Sequence, residues 1–236
     1  MTMIENSGRL RAVDALVFDA YGTLFDVQSV ASTAEALFPG RGAAFAQLWR
    51  SKQLEYSWLQ SLMQTPAQPR EDFAAVTAHA LSYAAEALGL PLPSHARHRM
   101  LDAYLDLSPF PDAVPTLAAL APRPRMILSN GTQAMLAPLV AATGLAPHLD
   151  RILSVDDAGV YKPSPRVYQL AVDALDRPPI RIGFVSSNSW DAIGAKAFGF
   201  TVFWINRSGA PIDRHGPPPD CVIASLSELP SLLAPA

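Results

Sequence analysis

The sequence is poor in the features that mark secreted, membrane-bound or nucleic-acid-binding proteins. Its 236 residues contain one cysteine, so an internal disulfide and a cysteine-cluster metal site are both excluded. No apolar run approaches the roughly 20 residues of a membrane span, and no export signal opens the chain. The formal net charge is only -3, without blocks of like charge. We therefore expect no nucleic-acid or membrane partner, and a cytoplasmic location.

Short apolar runs alternate with segments of helical period, which is typical of a parallel sheet covered by helices. Between residues 27 and 108 this alternation stops, and no convincing strand occurs. We predict an α/β fold with a Rossmann-like parallel sheet core, helices on both faces and an inserted all-helical cap domain. The core would comprise residues 1–26 and 109–236, and the cap residues 27–108. The predicted strands are residues 15–18, 126–128, 151–154, 182–185, 201–205 and 221–223.

The first long helix of the cap has two patterned faces. One is an amphipathic stripe, typical of a face turned toward a core. The other has residues at i, i+4 and i+8, which indicates a second face with a different function. The first stripe is Phe45, Leu48, Trp49, Tyr56, Leu59 and Met63, and the second is Arg50, Leu54 and Trp58.

Polar residues directly follow three of the predicted strands. They are Asp19, then Ser129 with Asn130, then Ser186 with Asn188. The carboxyl ends of parallel strands converge on the ligand crevice of an open α/β sheet, so these side chains are expected to meet. Each of them alone could be a helix cap, because Ser, Asp and Asn are favoured there. Three such sites in register favour a functional site.

The most specific motif is FDAYGTLFD at residues 18–26. It resembles the first motif of the haloacid dehalogenase superfamily, in which the leading aspartate is a nucleophile. The resemblance continues through LSNG at residues 128–131, YKP at residues 161–163 and FVSSNSWD at residues 184–191. Four ordered motifs over this span make a chance match improbable, and the cap sequence around residues 48–59 is similar as well.

The branch of the superfamily is indicated by missing acids. Its phosphatases carry a second aspartate two positions after the nucleophile and further acids in the last motif, which hold Mg²⁺. Here Tyr21, Ser186 and Asn188 occupy such positions, so a hard cation would lack ligands. A halide leaves without a proton or a metal. The sequence thus resembles the L-2-haloacid dehalogenases, which implies a small halo acid and water as substrates, no metal, no cofactor and a homodimer.

The predicted mechanism begins with covalent catalysis. Asp19 attacks C2 of the acid and forms an ester, which water then hydrolyses. Lys162 is expected to keep Asp19 charged, because a nearby cation favours the carboxylate. Arg50 from the cap, with Asn130 beside it, is expected to stabilise the charge that develops on the halide.

The substrate carboxylate is predicted to bind Ser129 and the backbone N–H groups of Ala20 and Tyr21. This contact would orient the acid for attack. Thr23 is expected to orient the nucleophile loop, and Tyr168 is expected to support Lys162 or the substrate carboxylate. Ser186, Asn188 and Asp191 are expected to position or deprotonate the water, with Asp191 as the first choice of base. The apolar pocket wall is predicted to consist of Tyr21, Leu54, Phe73 and Trp190.

Two other functions stay open at this point. One is an Mg²⁺-dependent phosphatase of the same superfamily, and the other is a catalytically silent protein that binds small anions. Halide release measured in a chelator would separate them. One segment departs from the resemblance: residues 64–72 contain proline and are longer than the family's loop, so the accepted length of the substrate side chain is open.

Overall fold

The computed structural model describes residue 10 and residues 12–234. Within this part of the chain, six strands form one parallel sheet. The apolar residues of the four central strands are buried, as expected where helices cover both faces of a sheet, whereas the two edge strands are partly exposed. The strands are β1 (Ala15–Phe18), β2 (Arg125–Ser129), β3 (Arg151–Ser154), β4 (Ile182–Ser186), β5 (Thr201–Ile205) and β6 (Cys221–Ile223).

Nine α-helices occur among the described residues, five of them between β1 and β2 and four after β2. None of these helices combines the length and the apolar character that crossing a bilayer requires. The first four are α1 (Gln28–Leu37), α2 (Gly42–Met63), α3 (Phe73–Ala87) and α4 (Ser94–Ala103). The remaining five are α5 (Ala113–Ala119), α6 (Gln133–Ala142), α7 (Pro165–Leu175), α8 (Ser189–Phe198) and α9 (Leu229–Leu232).

The predicted fold class is confirmed, and all six predicted strands are present. Two of them extend one residue further than predicted, to Ser129 and Ser186, because a buried serine continues the parallel ladder. The sheet order is β3-β2-β1-β4-β5-β6. This order places the first strand of the chain in the middle of the sheet.

The α2 helix packs against α1 and α3 through its amino-terminal half. Phe45 and Trp49 are fully buried there, and Trp49 Nε1 donates to the Thr77 carbonyl at 2.8 Å. The predicted buried stripe is wrong at its carboxyl end, where Leu59 is 39% exposed and Met63 is 63% exposed. Leu59 and Met63 line an open surface groove with Val76 and His79 of α3, so these apolar side chains stay partly exposed.

The strand order brings three strand ends together. Phe18 of β1 is opposite Ile127 of β2 and Val185 of β4. The residues that follow these positions therefore lie side by side at the carboxyl edge of the sheet. At β1 the order of strands reverses, and this is the place where open α/β sheets form a ligand crevice.

Candidate active site

The carboxylate of Asp19 lies directly after β1 and is 6% exposed. Its Oδ1 accepts from Lys162 Nζ at 3.1 Å, and its Oδ2 accepts from Thr23 Oγ1 at 3.0 Å and Asn188 Nδ2 at 2.8 Å. An ionised carboxylate is an acceptor only, so three donors around it suit the charged form. Thr23 also accepts from the backbone N–H of Ser187 at 2.9 Å, which ties the nucleophile loop to the end of β4.

Lys162 is buried between two carboxylates. Its Nζ is 3.1 Å from Asp19 Oδ1 and 2.8 Å from Asp191 Oδ2. Burial by itself would lower the pKa of Lys162, but Asp19 and Asp191 outweigh burial and hold that pKa above its usual value. Asn130 Oδ1 accepts from the backbone N–H of Lys162 at 3.1 Å, which leaves Asn130 Nδ2 as the donor group of this side chain.

Asp191 is fully buried behind Lys162 at the start of α8. Its Oδ1 accepts from the Tyr168 hydroxyl at 2.8 Å, and its Oδ2 accepts from Lys162 and, at 3.1 Å, from Ser186 Oγ. Burial raises the pKa of Asp191 to about 6, Asp19 adds to the rise, and Lys162 opposes it. Tyr168 thus reaches the site through Asp191 and not through Lys162. We refer to Asp19, Lys162, Asp191 and Tyr168 as the nucleophile cluster.

Arg50 approaches this cluster from helix α2. Its Nη2 is 3.4 Å from Asn188 Oδ1, and the amide of Asn188 is in turn bonded to Asp19. Its Nη1 donates to Gln53 Oε1 at 2.6 Å. The guanidinium therefore lies one side chain away from Asp19.

The predicted carboxylate-binding groups share the loops that follow β1 and β2. Ser129 is fully buried, and its Oγ accepts from the Gly131 N–H at 3.1 Å, so its hydroxyl hydrogen is available to a ligand. Within the described part of the chain, no protein acceptor faces the N–H groups of Ala20 and Tyr21. These donors can bind an anion at the strand-to-helix turn.

The four predicted wall residues do not form one surface. The Tyr21 ring stacks on Phe73 with 6.0 Å between centroids, and both rings are buried. Trp190 packs instead against Trp58 at 5.5 Å, beside an open apolar cavity of about 610 Å³ that reaches Lys162. Leu54 is half-buried on α2, one turn after Arg50. The structure thus brings Tyr21 and Phe73 together and places the Trp190 pair separately.

Three buried residues around Arg50 were missed by sequence reasoning: Gln53, Thr77 and Tyr104. Gln53 Nε2 donates to Thr77 Oγ1 at 2.6 Å, and Thr77 Oγ1 donates to the Phe73 carbonyl at 2.6 Å. Burial raises the pKa of Tyr104, Arg50 opposes this rise, and the phenol stays protonated. The available signal was spacing, since Gln53 is three residues after Arg50 on one helix. We call Thr77, Gln53, Arg50 and Asn188 the arginine relay.

The donor set around Asp19 does not suit a divalent cation. Its neighbours are an ammonium group, a hydroxyl group and an amide N–H, whereas Mg²⁺ prefers several oxygen ligands. Among the described residues, no group of three or more His, Cys, Asp or Glu side chains could hold a metal ion. The positive charge beside the nucleophile is supplied by Lys162.

Comparisons with known proteins agree with this geometry. A sequence profile described as haloacid dehalogenase-like hydrolase matches residues 13–199. The (S)-2-haloacid dehalogenase 1 of Pseudomonas sp. (strain CBS-3) is 46% identical, and the aligned region covers 94% of this chain and 96% of that protein. The (S)-2-haloacid dehalogenase of Xanthobacter autotrophicus is 44% identical, covering 94% and 95%. A structure of the L-2-haloacid dehalogenase from Xanthobacter autotrophicus with chloropropionic acid covalently bound matches with a TM-score of 0.85 and 43% identity, covering 94% and 98%.

Proposed function

The chain belongs to the haloacid dehalogenase-like hydrolases, and from this membership we propose that it hydrolyses short-chain L-2-haloalkanoic acids to D-2-hydroxy acids without a metal. One observation carries the proposal. Asp19 is bound by Lys162, Thr23 and Asn188, and the position two residues after it holds Tyr21 instead of a second acid. A buried, charged carboxylate without an acid catalyst suits a leaving group that departs as a stable anion.

The first step forms an ester on the protein. A carboxylate oxygen of Asp19 attacks C2 opposite the halogen, the new C–O bond forms, and the C–halogen bond breaks with its electron pair on the halide. Ser129 and the N–H groups of Ala20 and Tyr21 hold the substrate carboxylate. Arg50 and the Nδ2 of Asn130 stabilise the departing halide. In-line attack inverts C2, which explains how an L substrate gives a D product.

The second step is hydrolysis of the ester. Water attacks the side-chain carbonyl carbon of Asp19, and Asp191 accepts the proton that the water loses. A pKa of about 6 suits this role, because the carboxylate is then unprotonated at neutral pH but still basic. Ser186 and Asn188 position the water, while Tyr168 and Lys162 hold Asp191. The alkoxide leaves with the second proton of the attacking water and becomes the hydroxy acid, which restores the Asp19 carboxylate, and the proton on Asp191 passes to solvent.

Residues 27–108 act in this proposal as a cap over the core formed by residues 1–26 and 109–236. The supporting observation is that Arg50 and Phe73 come from the cap helices, whereas Asp19 directly follows β1 and Lys162 lies in the turn before α7. In this proposal the stacked rings of Tyr21 and Phe73 form the apolar wall beside the C2 substituent and limit its contact with water.

The oligomeric state we propose is a homodimer, which is supported by the exposed last turn of α2. Leu59, Leu62 and Met63 are 39%, 81% and 63% exposed on one helix end, and such apolar patches are common at protein interfaces. Sedimentation of Leu62→Lys against the parent chain tests this assembly, and an unchanged dimer would place the interface elsewhere.

The low cysteine content supports a cytoplasmic location, which fractionation of the native host tests.

The deciding experiment is halide release from L-2-chloropropionate in the presence of EDTA. We expect chloride and D-lactate in equal amounts, and a mass shift on the peptide that carries Asp19 when the reaction is quenched in the first turnover. Phosphate release that requires added Mg²⁺ would favour the phosphatase alternative. Binding of the acid without chloride release would favour the silent anion-binding protein.

A further inference from the structure

We infer that Gln53 is a positioning residue that aims the Arg50 guanidinium at the departing halide. The inference rests on the proposed dehalogenation and deepens it, because it assigns control of the halide site to a side chain outside the recognised motifs. Gln53 is fully buried in α2 and cannot exchange its protein contacts for water. Its two polar atoms are both used, one toward Arg50 and the other toward Thr77.

The hydrogen-bond directions in this relay are fixed at both ends. A guanidinium has donors only, so the atom of Gln53 that faces Arg50 at 2.6 Å must be the carbonyl oxygen. Thr77 Oγ1 gives its one hydrogen to the Phe73 carbonyl, so it must accept from the Gln53 amide nitrogen. Each end independently requires the same orientation of the Gln53 amide.

The anchor of the relay is itself rigid. Thr77 is 2% exposed in α3, and its carbonyl accepts from Trp49 Nε1 at 2.8 Å, which links α3 back to α2 one turn before Gln53. At the Arg50 end the guanidinium also interacts with the Tyr104 hydroxyl, and its contact with Asn188 spans 3.4 Å, which is longer than the 2.6 Å bond to Gln53. The short bond to Gln53 is therefore the contact that sets the direction of Arg50.

This arrangement predicts an effect that depends on the leaving group. Chloride is a poorer leaving group than bromide or iodide, so the chloride reaction depends most on a well-placed cation. Outer residues that orient a catalytic group commonly change rates by about 10–100-fold. We expect Gln53→Met to lower kcat/KM about 10-fold or more for 2-chloropropionate but only about 2-fold for 2-iodopropionate. The ratio kcat/KM reports the displacement step even where ester hydrolysis limits kcat.

The experiment measures kcat/KM for the chloro, bromo and iodo acids in the parent chain, Gln53→Met and Gln60→Met. Gln60 lies on the same helix and exchanges hydrogen bonds with Glu71 at the surface, so it controls for loss of a glutamine amide from α2. We expect the halide ratio to change only in Gln53→Met. An equal loss for all three halides, or the same change in Gln60→Met, would overturn the inference.

A second variant keeps the test decisive if Gln53→Met folds poorly. Thr77→Val leaves Gln53 in place and removes its anchor. We therefore expect kcat/KM to depend on the halide in the same way, with a smaller difference between the chloro and iodo acids. A Thr77→Val protein with the parent halide ratio would also overturn the inference. If the parent chain releases no halide from any of the three acids, the proposed function itself fails, and this outcome is distinct from a uniform loss in the variants.

Discussion

The two sides of the crevice are held in place by different means. In the nucleophile cluster, Asp19 follows β1 and Lys162 lies in a loop, while Tyr168 and Asp191 belong to helices α7 and α8, and each of the three charged side chains has at least two partners. In the arginine relay, single hydrogen bonds join Thr77, Gln53 and Arg50 on the helices between β1 and β2, and a 3.4 Å contact joins Arg50 to Asn188. The groups that make and break the ester are thus multiply held, whereas the groups that meet the halide can be adjusted by one side chain.

The largest effect is expected from the nucleophile itself. Asp19→Asn keeps the shape of the side chain but removes its charge, and an amide does not displace a halide. We expect the rate of halide release to fall about 10⁴-fold or more, while the fold measured by circular dichroism is kept. Retained halide release from Asp19→Asn would show that the reaction does not pass through this carboxylate. The nucleophile cluster would then not be the side of the crevice on which the ester forms.

Removal of the cation tests how strongly the nucleophile cluster depends on pairing. Lys162→Met leaves Asp19 and Asp191 as two buried carboxylates without their shared partner, which we expect to cost about 3–5 kcal/mol of unfolding free energy in urea and about 10³-fold in activity. Lys196→Met is the control, because Lys196 contacts Asp220 at 2.6 Å and is partly exposed. A similar loss of stability in both variants would contradict a special role for burial between two acids.

A pH series separates the two chemical steps. Burial raises the pKa of Asp191 to about 6, and its protonated form cannot accept a proton from water. In the ester intermediate Asp19 is uncharged and no longer raises this pKa, so we expect the rate of ester hydrolysis in single turnovers to begin to fall at a pH below 6 and to approach a tenfold loss per pH unit as the ionised fraction falls. Halide release in the first turnover transfers no proton and should change less. If the rates of halide release and ester hydrolysis fall equally at low pH, Asp191 is not the base.

The smallest effects are expected from two tyrosine hydroxyls, which form a matched pair. Within the described residues the buried Tyr21 hydroxyl has no partner, whereas the Tyr168 hydroxyl donates to Asp191. We expect Tyr21→Phe to leave the unfolding free energy unchanged or raise it by about 1 kcal/mol, because an unpaired buried donor is unfavourable. Tyr168→Phe should lower it by about 1–3 kcal/mol. Changes of the same sign in both variants would show that pairing does not distinguish these two hydroxyls.

The sequence was most informative where chemistry coincides with strand ends. Asp19, Ser129 and Ser186 could be predicted to meet because the carboxyl ends of parallel strands share one edge of the sheet. Gln53 and Thr77 could not, because a polar residue on an amphipathic helix has no comparable marker and the packing of α2 on α3 is set by tertiary contacts. The sequence also does not determine which amide atom of Asn130 faces Lys162.

The exposed end of α2 shows a different limit. Leu59 and Met63 follow the same helical spacing as Phe45 and Trp49, so periodicity alone predicts a single buried face. Burial of the last turn of α2 depends on which neighbouring segments pack against it, and the loops between the helices decide where those segments lie. The spacing of apolar residues therefore predicted the helix correctly but not how much of its length is covered.

The central position of β1 has a consequence for how the protein is made. β1 precedes the other five strands of the sheet in the chain, yet one of its two neighbours, β4, ends at Ser186. The growing chain on the ribosome must therefore keep one edge of this apolar strand unpaired until β4 has emerged. A nascent chain that stalls before residue 182 contains Asp19 but lacks β4, so the site cannot form until β4 and the residues that follow it have been translated.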